Sequence, residues 1–334
     1  MTTSTKSGEA DLHGQRVLIT GGLGFIGSNV ALRCVELGAR VTIYDVLDPR
    51  SGGNMQNVKS FEDDVEIIAN DLRNFEGISA AIRHKDIVFN CAAYTSHPQS
   101  MTDPLTDIEV NCKGTIHVLE AARRFNPDVK IVHLGTSTQI GRMILPEVSE
   151  IHPEFPRDIY SANKLASEKY ALIYQSAYKL RATVVRLANN YGPRSNIRSA
   201  DFGFVNYFIG LGLQNRELTV FGDGSQLRNI SYVGDSVTAL IGAALNDKSD
   251  GEVFFAVADR QVTVAEISEA IVSCVGGTLR FVDWPQNRAA IEIGDSIISN
   301  TKIKATLGWE PLVSLDSGLR YTKDYYVGCL DRYL

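Results

Sequence analysis

The segment YSANK contains a tyrosine and a lysine that could do acid–base chemistry together, Tyr160 and Lys164. On a helix, a spacing of four residues places both side chains on one face, one turn apart. Tyrosine is a poor base at neutral pH because its pKa is about 10, but a nearby ammonium group favours the phenolate and lowers that pKa. Many helices contain this spacing by chance, so the pair alone leaves a purely structural role open.

A glycine-rich segment near the N-terminus, TGGLGFIGSNV, predicts a loop that binds the pyrophosphate of a dinucleotide. Gly21, Gly24 and Gly27 allow a sharp turn after a strand, close approach of the phosphates and close packing of the next helix. Asp45 lies 18 residues after Gly27, where an acidic side chain binds ribose hydroxyls and repels a 2′-phosphate. The pattern therefore predicts NAD rather than NADP, and a tight strand–helix turn without a ligand is the alternative.

Three hydroxyl residues, Thr136, Ser137 and Thr138, follow a short apolar run in the segment LGTSTQIG. The run predicts a strand, and parallel strands present active-site groups at their carboxyl ends. One of these hydroxyls can hydrogen-bond the oxygen that Tyr160 protonates or deprotonates. Together with the dinucleotide loop, these residues indicate hydride transfer at a carbinol or ketone carbon.

The apolar pattern predicts the elements that position these residues. Short buried strands are expected at residues 16–20, 41–45, 65–69, 87–91, 131–134 and 183–187, and helices at 26–37, 104–125 and 160–178. This alternation predicts an α/β fold with a doubly wound, Rossmann-type parallel sheet. We expect an NAD-binding domain at residues 14–188 and a smaller, mixed α/β substrate lobe at 189–334, with a soft boundary and some segments returning to the first domain.

Composition excludes several classes of protein. The net charge of the 334 residues is -6, which disfavours nucleic-acid binding. No apolar run approaches the roughly 18 residues that a membrane span needs, and the polar N-terminus lacks the apolar core of a signal peptide. The chain has 5 cysteines, and none of them forms a CxxC pair. A disulfide framework and a zinc site are therefore both disfavoured. We therefore expect a cytoplasmic protein without a membrane partner.

Taken together, TGGLGFIG, NCAAYTS, the strand end at Thr136, YSANK, LANNYGPR and VFGDGSQLRNISYV resemble the extended short-chain dehydrogenase/reductase family. The resemblance is greatest to its nucleotide-sugar epimerases and dehydratases, and it extends over residues 14–325. It implies that Tyr160 is the catalytic base, Lys164 its helper and Thr136 its hydroxyl partner. Thr136 is preferred to Ser137 because it stands five residues before Gly141, as in the family.

The resemblance also implies two sets of binding residues. The predicted NAD site comprises Gly21, Gly24, Phe25, Ile26, Gly27, Asp45, Asp71, Leu72, Ala92, Ala93, Tyr160 and Lys164. Asp71 would lie beside the adenine, with a helix cap as its alternative role. The predicted site for a nucleotide-diphosphate sugar, with a UDP-sugar as the first candidate, comprises Thr95, Ser96, Thr136, Asn189, Arg228 and Arg288. Arginine suits the phosphates because its planar fork binds oxygens in pairs; a solvated surface charge is the alternative.

The residues after Thr136 distinguish between reactions. The family's 4,6-dehydratases carry Asp-Glu at these positions, and its decarboxylase-like members keep a Glu two residues after the threonine. This chain has Ser137 and Thr138, and neither can act as a carboxyl acid. The resemblance therefore implies an epimerase, acting at C4 through a transient 4-keto sugar. A nucleotide-sugar dehydrogenase or ketoreductase is the main alternative, and a dehydratase is disfavoured.

Two further expectations concern partners and a nearby histidine. Family members commonly pair through two long helices, here predicted at residues 104–125 and 160–178, so we expect a homodimer. The apolar faces of these helices could equally be core. His97 lies near the predicted sugar loop, where a local hydrogen-bonding role is expected. A non-catalytic protein that uses NAD as a structural ligand would lack Tyr160 or Lys164, and both are present.

Overall fold

The computed structural model describes residues 11–48, 51–285 and 294–334. Its strands are β1 (Arg16–Thr20), β2 (Arg40–Asp45), β3 (Val65–Ala69), β4 (Ile87–Asn90), β5 (Lys130–Thr136), β6 (Arg181–Leu187), β7 (Asn189–Tyr191), β8 (Glu217–Phe221), β9 (Leu227–Tyr232), β10 (Val253–Ala256), β11 (Gln261–Thr263) and β12 (Thr278–Val282). Within those ranges, seven strands form a parallel main sheet in the order β10-β6-β5-β4-β1-β2-β3. The chain reverses direction across the sheet between β1 and β4, and doubly wound sheets bind their ligands beside such a point.

The helices lie on both faces of the main sheet and in the smaller lobe. They are α1 (Phe25–Glu36), α2 (Phe75–Ile82), α3 (His97–Thr102), α4 (Pro104–Asp107), α5 (Gly114–Phe125), α6 (Ile159–Tyr178), α7 (Phe204–Leu213), α8 (Val233–Leu245), α9 (Val264–Cys274), α10 (Thr301–Leu307) and α11 (Leu315–Val327). Val17 and Ile19 of β1 pack with α1 and α8, whereas Leu18 packs on the other face with α2, α5 and α6. A strand that is buried on both faces has a continuous run of apolar residues. This is why the apolar runs in the sequence predict these strands. The predicted fold class is confirmed.

Several predicted elements differ from the structure in detail. The helix expected at residues 104–125 contains a π-helical turn, Ile108–Lys113, between α4 and α5. Strand β5 continues to Thr136, beyond the apolar run at residues 131–134. Helix α2 lies outside the predicted helices; it has only 8 residues, and Asn74 caps it. Among the described helices, none has the length and apolarity to span a bilayer.

The second half of the chain builds a smaller lobe with a core of its own. Strand β9 pairs with β7 and β11, and β8 pairs with β12. Helices α7, α9 and α11 pack on these strands through buried residues that include Ile209, Ile267 and Leu319. Strand β10, which lies beyond the expected boundary at residue 188, pairs with β6 in the main sheet. The chain therefore returns to the first sheet after the lobe begins.

A buried ion pair fastens helix α6 to the main sheet. Arg186 of β6 donates from Nε and Nη2 to the two carboxylate oxygens of Glu168 on α6, at 2.7 and 2.6 Å, and both residues are buried. Gln139, in the turn after β5, donates to the same carboxylate at 2.7 Å. Although desolvation opposes it, the Arg186 guanidinium lowers the pKa of Glu168. The pair therefore joins the helix, a strand and the turn that follows Thr136.

We predict that Glu168→Gln lowers the free energy of unfolding by about 3 kcal/mol, because it removes the buried carboxylate that binds Nε and Nη2 of Arg186 and leaves the guanidinium paired with Glu154 alone. The exposed pair Arg33–Glu36 supplies the control: Glu36→Gln should change stability by less than about 1 kcal/mol. Urea unfolding followed by circular dichroism measures both. Equal losses in the two variants would show that the buried pair does not hold the helix.

Candidate functional site

A cleft of about 610 Å³ runs along the carboxyl ends of the strands of the main sheet and is bounded by the smaller lobe. Every residue of the predicted NAD set lines it, and so do three of the predicted sugar-binding residues, Thr95, Thr136 and Asn189. Residues distant in sequence therefore meet in one concave surface, as ligand sites usually require.

The glycine loop is shaped by close backbone contacts. Gly21 has φ +67, and a Cβ there would lie 2.7 Å from the backbone of Ala92. A Cβ on Gly27 would lie 2.2 Å from the Gly21 carbonyl oxygen. Helix α1 begins directly after Gly24, and within the described structure no side chain caps its first N–H groups. A bare helix N-terminus at a glycine cradle fits a pyrophosphate.

Asp45 ends β2 at the rim of this cradle. Its carboxylate accepts hydrogen bonds from the backbone N–H groups of Leu23, at 3.0 Å, and Leu47, at 2.8 Å. Burial raises its pKa, and the two backbone hydrogen bonds oppose that shift. A carboxylate offers about four acceptor positions, so the two backbone bonds leave capacity for ribose hydroxyls.

Asp71 and Leu72 line the far end of the cleft. Asp71 accepts hydrogen bonds from the Arg73 side chain at 2.9 and 2.6 Å and from its backbone N–H at 2.8 Å. Asn74 caps helix α2 by accepting from Gly77, so the alternative role of Asp71, a helix cap, is wrong. Asp71 thus stands in the cleft with its carboxylate oriented by Arg73.

Helix α6 brings Tyr160 and Lys164 to the end of β5. Asp158 caps the helix by accepting from the backbone N–H of Ser161 at 2.8 Å. The Lys164 ammonium is buried and donates to the Leu134 carbonyl at 2.6 Å. Burial lowers the pKa of Lys164 to about 8. The lysine is therefore anchored to the strand that carries Thr136.

The protein groups around Tyr160 influence the ionisation of its phenol. Burial raises the pKa of its phenol, the carboxylates of Asp107 and Asp158 raise it further, and a hydrogen bond with Thr136 opposes them. The protein groups alone therefore hold Tyr160 as the neutral phenol, which can donate a proton.

The turn after β5 presents hydroxyls. The Thr136 Oγ1 accepts from the backbone N–H of Thr138 at 3.2 Å and lies 3.1 Å from the Thr138 Oγ1. Among the described residues, no group of three or more His, Cys, Asp or Glu could hold a metal ion. The five cysteines are free thiols. The hydroxyls of Thr136 and Tyr160 and the Lys164 ammonium are therefore among the groups at this end of the cleft that can transfer protons.

The predicted sugar-binding residues are not all in the cleft. Ser96 is buried and caps α3 by accepting from the Gln99 N–H at 3.3 Å. Arg228 lies outside the cleft lining, and its Nη1 donates to the carbonyls of Leu227, at 2.8 Å, and Gly294, at 2.7 Å. Arg288 lies outside the described residues.

A buried polar network behind the cleft was not predicted. Asp107 accepts from Asn111 at 2.9 Å and from Asn163 at 2.8 Å. Asn111 also forms two hydrogen bonds with the backbone of Tyr94, at 2.9 and 3.1 Å. Asn111 lies in the π-helical turn, so the periodicity of an α-helix does not predict which way its side chain points. Asn163, which lies within YSANK and bonds to Asp107, was the one sequence feature that could have indicated this network. The network positions the loop that leads to Thr95.

Comparison with known proteins agrees with this geometry. The model of the NAD dependent epimerase/dehydratase family matches residues 17–256. A UDP-glucose 4-epimerase from Mycolicibacterium smegmatis is 32% identical over 319 residues, covering 93% of this chain and 98% of that protein. A dTDP-glucose 4,6-dehydratase of the same organism is 28% identical, covering 93% of each chain. The Thermus thermophilus UDP-glucose 4-epimerase complex with NAD has a TM-score of 0.83 at 30% identity, covering 94% of this chain and 100% of that one. The predicted resemblance and the predicted cofactor, NAD, are confirmed.

We predict that Gly27→Ala weakens NAD binding at least about tenfold, because the new Cβ displaces the Gly21 carbonyl and distorts the cradle. Gly242 is the matched control: it also lies inside a helix, and a Cβ there meets nothing within 4 Å. Gly242→Ala should bind NAD as the parent protein does. Isothermal titration calorimetry on protein freed of nucleotide measures the affinities, and unchanged binding by Gly27→Ala would contradict the assignment of the loop.

Proposed function

Because the chain belongs to the NAD dependent epimerase/dehydratase family, we propose that it is a nucleotide-sugar epimerase that acts at C4 through a transient 4-keto sugar. Thr136, Tyr160 and Lys164 support this proposal because they line one cleft with the NAD residues. The substrate would be a nucleotide-diphosphate sugar, with a UDP-sugar as the first candidate.

The observation that carries the choice of reaction is the pair of hydroxyl residues after Thr136. Elimination of the sugar 6-hydroxyl needs an acid at this point to protonate the leaving oxygen. Ser137 and Thr138 have pKa values far too high for that role, and Thr138 is hydrogen-bonded to Thr136. Oxidation without elimination is the reaction that these groups support.

The chain's own residues account for the proton transfers. Tyr160 removes the proton from the C4 hydroxyl and later returns one to the ketone oxygen. The Thr136 hydroxyl holds that oxygen beside Tyr160, and Lys164 binds the nicotinamide ribose. When bound, NAD supplies the hydride acceptor and a positive charge that favours the Tyr160 phenolate. That charge is needed because burial holds the phenol neutral.

We propose four residues as contacts for the sugar and its diphosphate. Asn189 and Thr95 line the cleft and are candidates for contacts with the sugar and its phosphates. Arg228 would have to exchange its bonds to the Leu227 and Gly294 carbonyls for phosphate oxygens. Arg288 is the second candidate.

We predict that the purified protein interconverts UDP-glucose and UDP-galactose without added NAD, because the hydride returns to the sugar in each cycle. Tyr160→Phe should lower kcat at least about 100-fold, since it removes the acid–base group. Tyr178→Phe, an exposed tyrosine on the same helix, is the control and should leave kcat unchanged. Proton NMR of the sugars measures the turnover. A stoichiometric requirement for external NAD or NADPH would instead indicate a dehydrogenase or ketoreductase.

The proposed enzyme is a homodimer that pairs through α4, α5 and α6. Leu105 on α4 is 73% exposed, and Ile108 beside it and Ile173 on α6 are also exposed. These residues come from the two helices predicted to pair, and exposed apolar patches often mark interfaces. The pairing buries them without disturbing the main sheet.

We predict that the protein elutes as a dimer in gel filtration and that Leu105→Asp elutes as a monomer, because a charge is costly in an apolar interface. Leu312 is 84% exposed and lies outside these helices, so Leu312→Asp should remain dimeric. A stable, active monomer of the parent protein would contradict the proposed pairing.

A further inference from the structure

His97 and Asp158 form a hydrogen-bonded pair beside the catalytic tyrosine. The His97 Nδ1 lies 2.8 Å from the Asp158 Oδ2. The histidine lines the cleft, and its side chain is 40% exposed. Its ring meets the Tyr160 ring edge-on, with the centroids 4.9 Å apart. The imidazole therefore reaches the part of the cleft in which Tyr160 acts.

The hydrogen bond fixes which nitrogen of His97 carries the proton. Although desolvation opposes it, hydrogen bonds from His97 and Ser161 lower the pKa of Asp158, so the carboxyl group is ionised. An ionised carboxylate can only accept. In the neutral imidazole, Nδ1–H therefore donates to Asp158, and Nε2 carries the lone pair. Among the described residues, no protein group is hydrogen-bonded to Nε2.

Capping of helix α6 does not account for the hydrogen bond between Asp158 and His97. Asp158 caps α6 through Oδ1, which accepts from Ser161. Its second oxygen, Oδ2, holds His97. A carboxylate that orients an imidazole in this way is a common arrangement for a general base. The residue expected to have a local hydrogen-bonding role thus has the position and the tautomer for proton transfer.

We propose that His97, oriented by Asp158, is a second general base of the cleft and transfers a proton at a ring carbon next to the 4-keto group, C3 or C5. The inference rests on the proposed function, which supplies the ketone. Hydrogens on carbons next to a carbonyl are acidic because the resulting charge is delocalised onto oxygen. The substrate class is therefore a nucleotide 4-keto sugar.

The step balances without a further reactant. Nε2 takes the proton from C3 or C5, and the electron pair of that C–H bond forms a carbon–carbon double bond. The carbonyl π electrons move to the C4 oxygen, which Tyr160 and Thr136 stabilise by hydrogen bonding. The partly exposed imidazolium exchanges its proton with water and then protonates the same carbon. No electron leaves the sugar, and one carbon-bound hydrogen is replaced by hydrogen from solvent.

A preformed ketone separates this step from oxidation at C4. The holoenzyme is incubated in D₂O with UDP-4-keto-6-deoxyglucose, and deuterium in the recovered sugar is located by NMR and mass spectrometry. We expect incorporation at C3 or C5, and the proton signal that disappears identifies the carbon. His97→Asn should slow it about 100-fold, because its amide can still bond to Asp158 but is not a base.

Two further variants exclude a structural explanation. Asp158→Asn keeps a good helix cap but cannot hold the same His97 tautomer, so exchange should also fall at least about tenfold. His117→Asn removes a histidine whose Nδ1 is bonded to the Leu72 carbonyl at 2.7 Å and should leave exchange unchanged. Exchange that is equal in His97→Asn and the parent, or no faster than without protein, overturns the proposal. Interconversion of UDP-glucose and UDP-galactose tests the proposed function separately.

Discussion

The buried pair between Glu168 and Arg186 is the constraint on which the site depends. It fixes the register of α6 against β6, and Gln139 adds the turn after β5 to the same carboxylate. Tyr160 and Lys164 lie on that helix, and Thr136 ends the strand before that turn. The three residues that we propose take part in the reaction are therefore held by one ionic cluster in the core rather than by loops.

Burial also sets the chemistry of the groups that α6 carries. It lowers the pKa of Lys164 to about 8 and raises that of Tyr160. The lysine is thus easily neutralised and the tyrosine hard to ionise, so the proton transfer that we propose depends on charge brought by the cofactor. In the proposed mechanism, Tyr160 is therefore a poor base until NAD is bound.

Much of this arrangement is predictable from the sequence, for physical reasons. Buried parallel strands appear as apolar runs, and the strands at residues 16–20 and 65–69 have the predicted bounds. Glycine is the residue that fits beside the Ala92 backbone at φ +67, so the loop at Gly21 leaves a clear signal. The spacing of Tyr160 and Lys164 is read directly from helical periodicity.

Other features depend on contacts between distant segments, which periodicity does not encode. The π-helical turn at Ile108–Lys113 interrupts a helix whose composition gives no sign of it. The ion pair of Arg186 with Glu168 joins a strand and a helix, and neither segment indicates which of its charges will pair. Arg228 bonds to carbonyls outside the cleft, although the motif around it suggested a phosphate ligand. The orientation of His97 by Asp158 is likewise visible only in three dimensions.

We propose that hydrogen leaves C4 of the sugar as hydride and returns to C4 within the cleft. The most direct measurement uses UDP-glucose deuterated at C4, incubated in ordinary water with the protein and no added cofactor. We predict that the UDP-galactose formed keeps its deuterium at C4, because the hydride does not exchange with solvent. UDP-galactose that carries a solvent-derived hydrogen at C4 would contradict it.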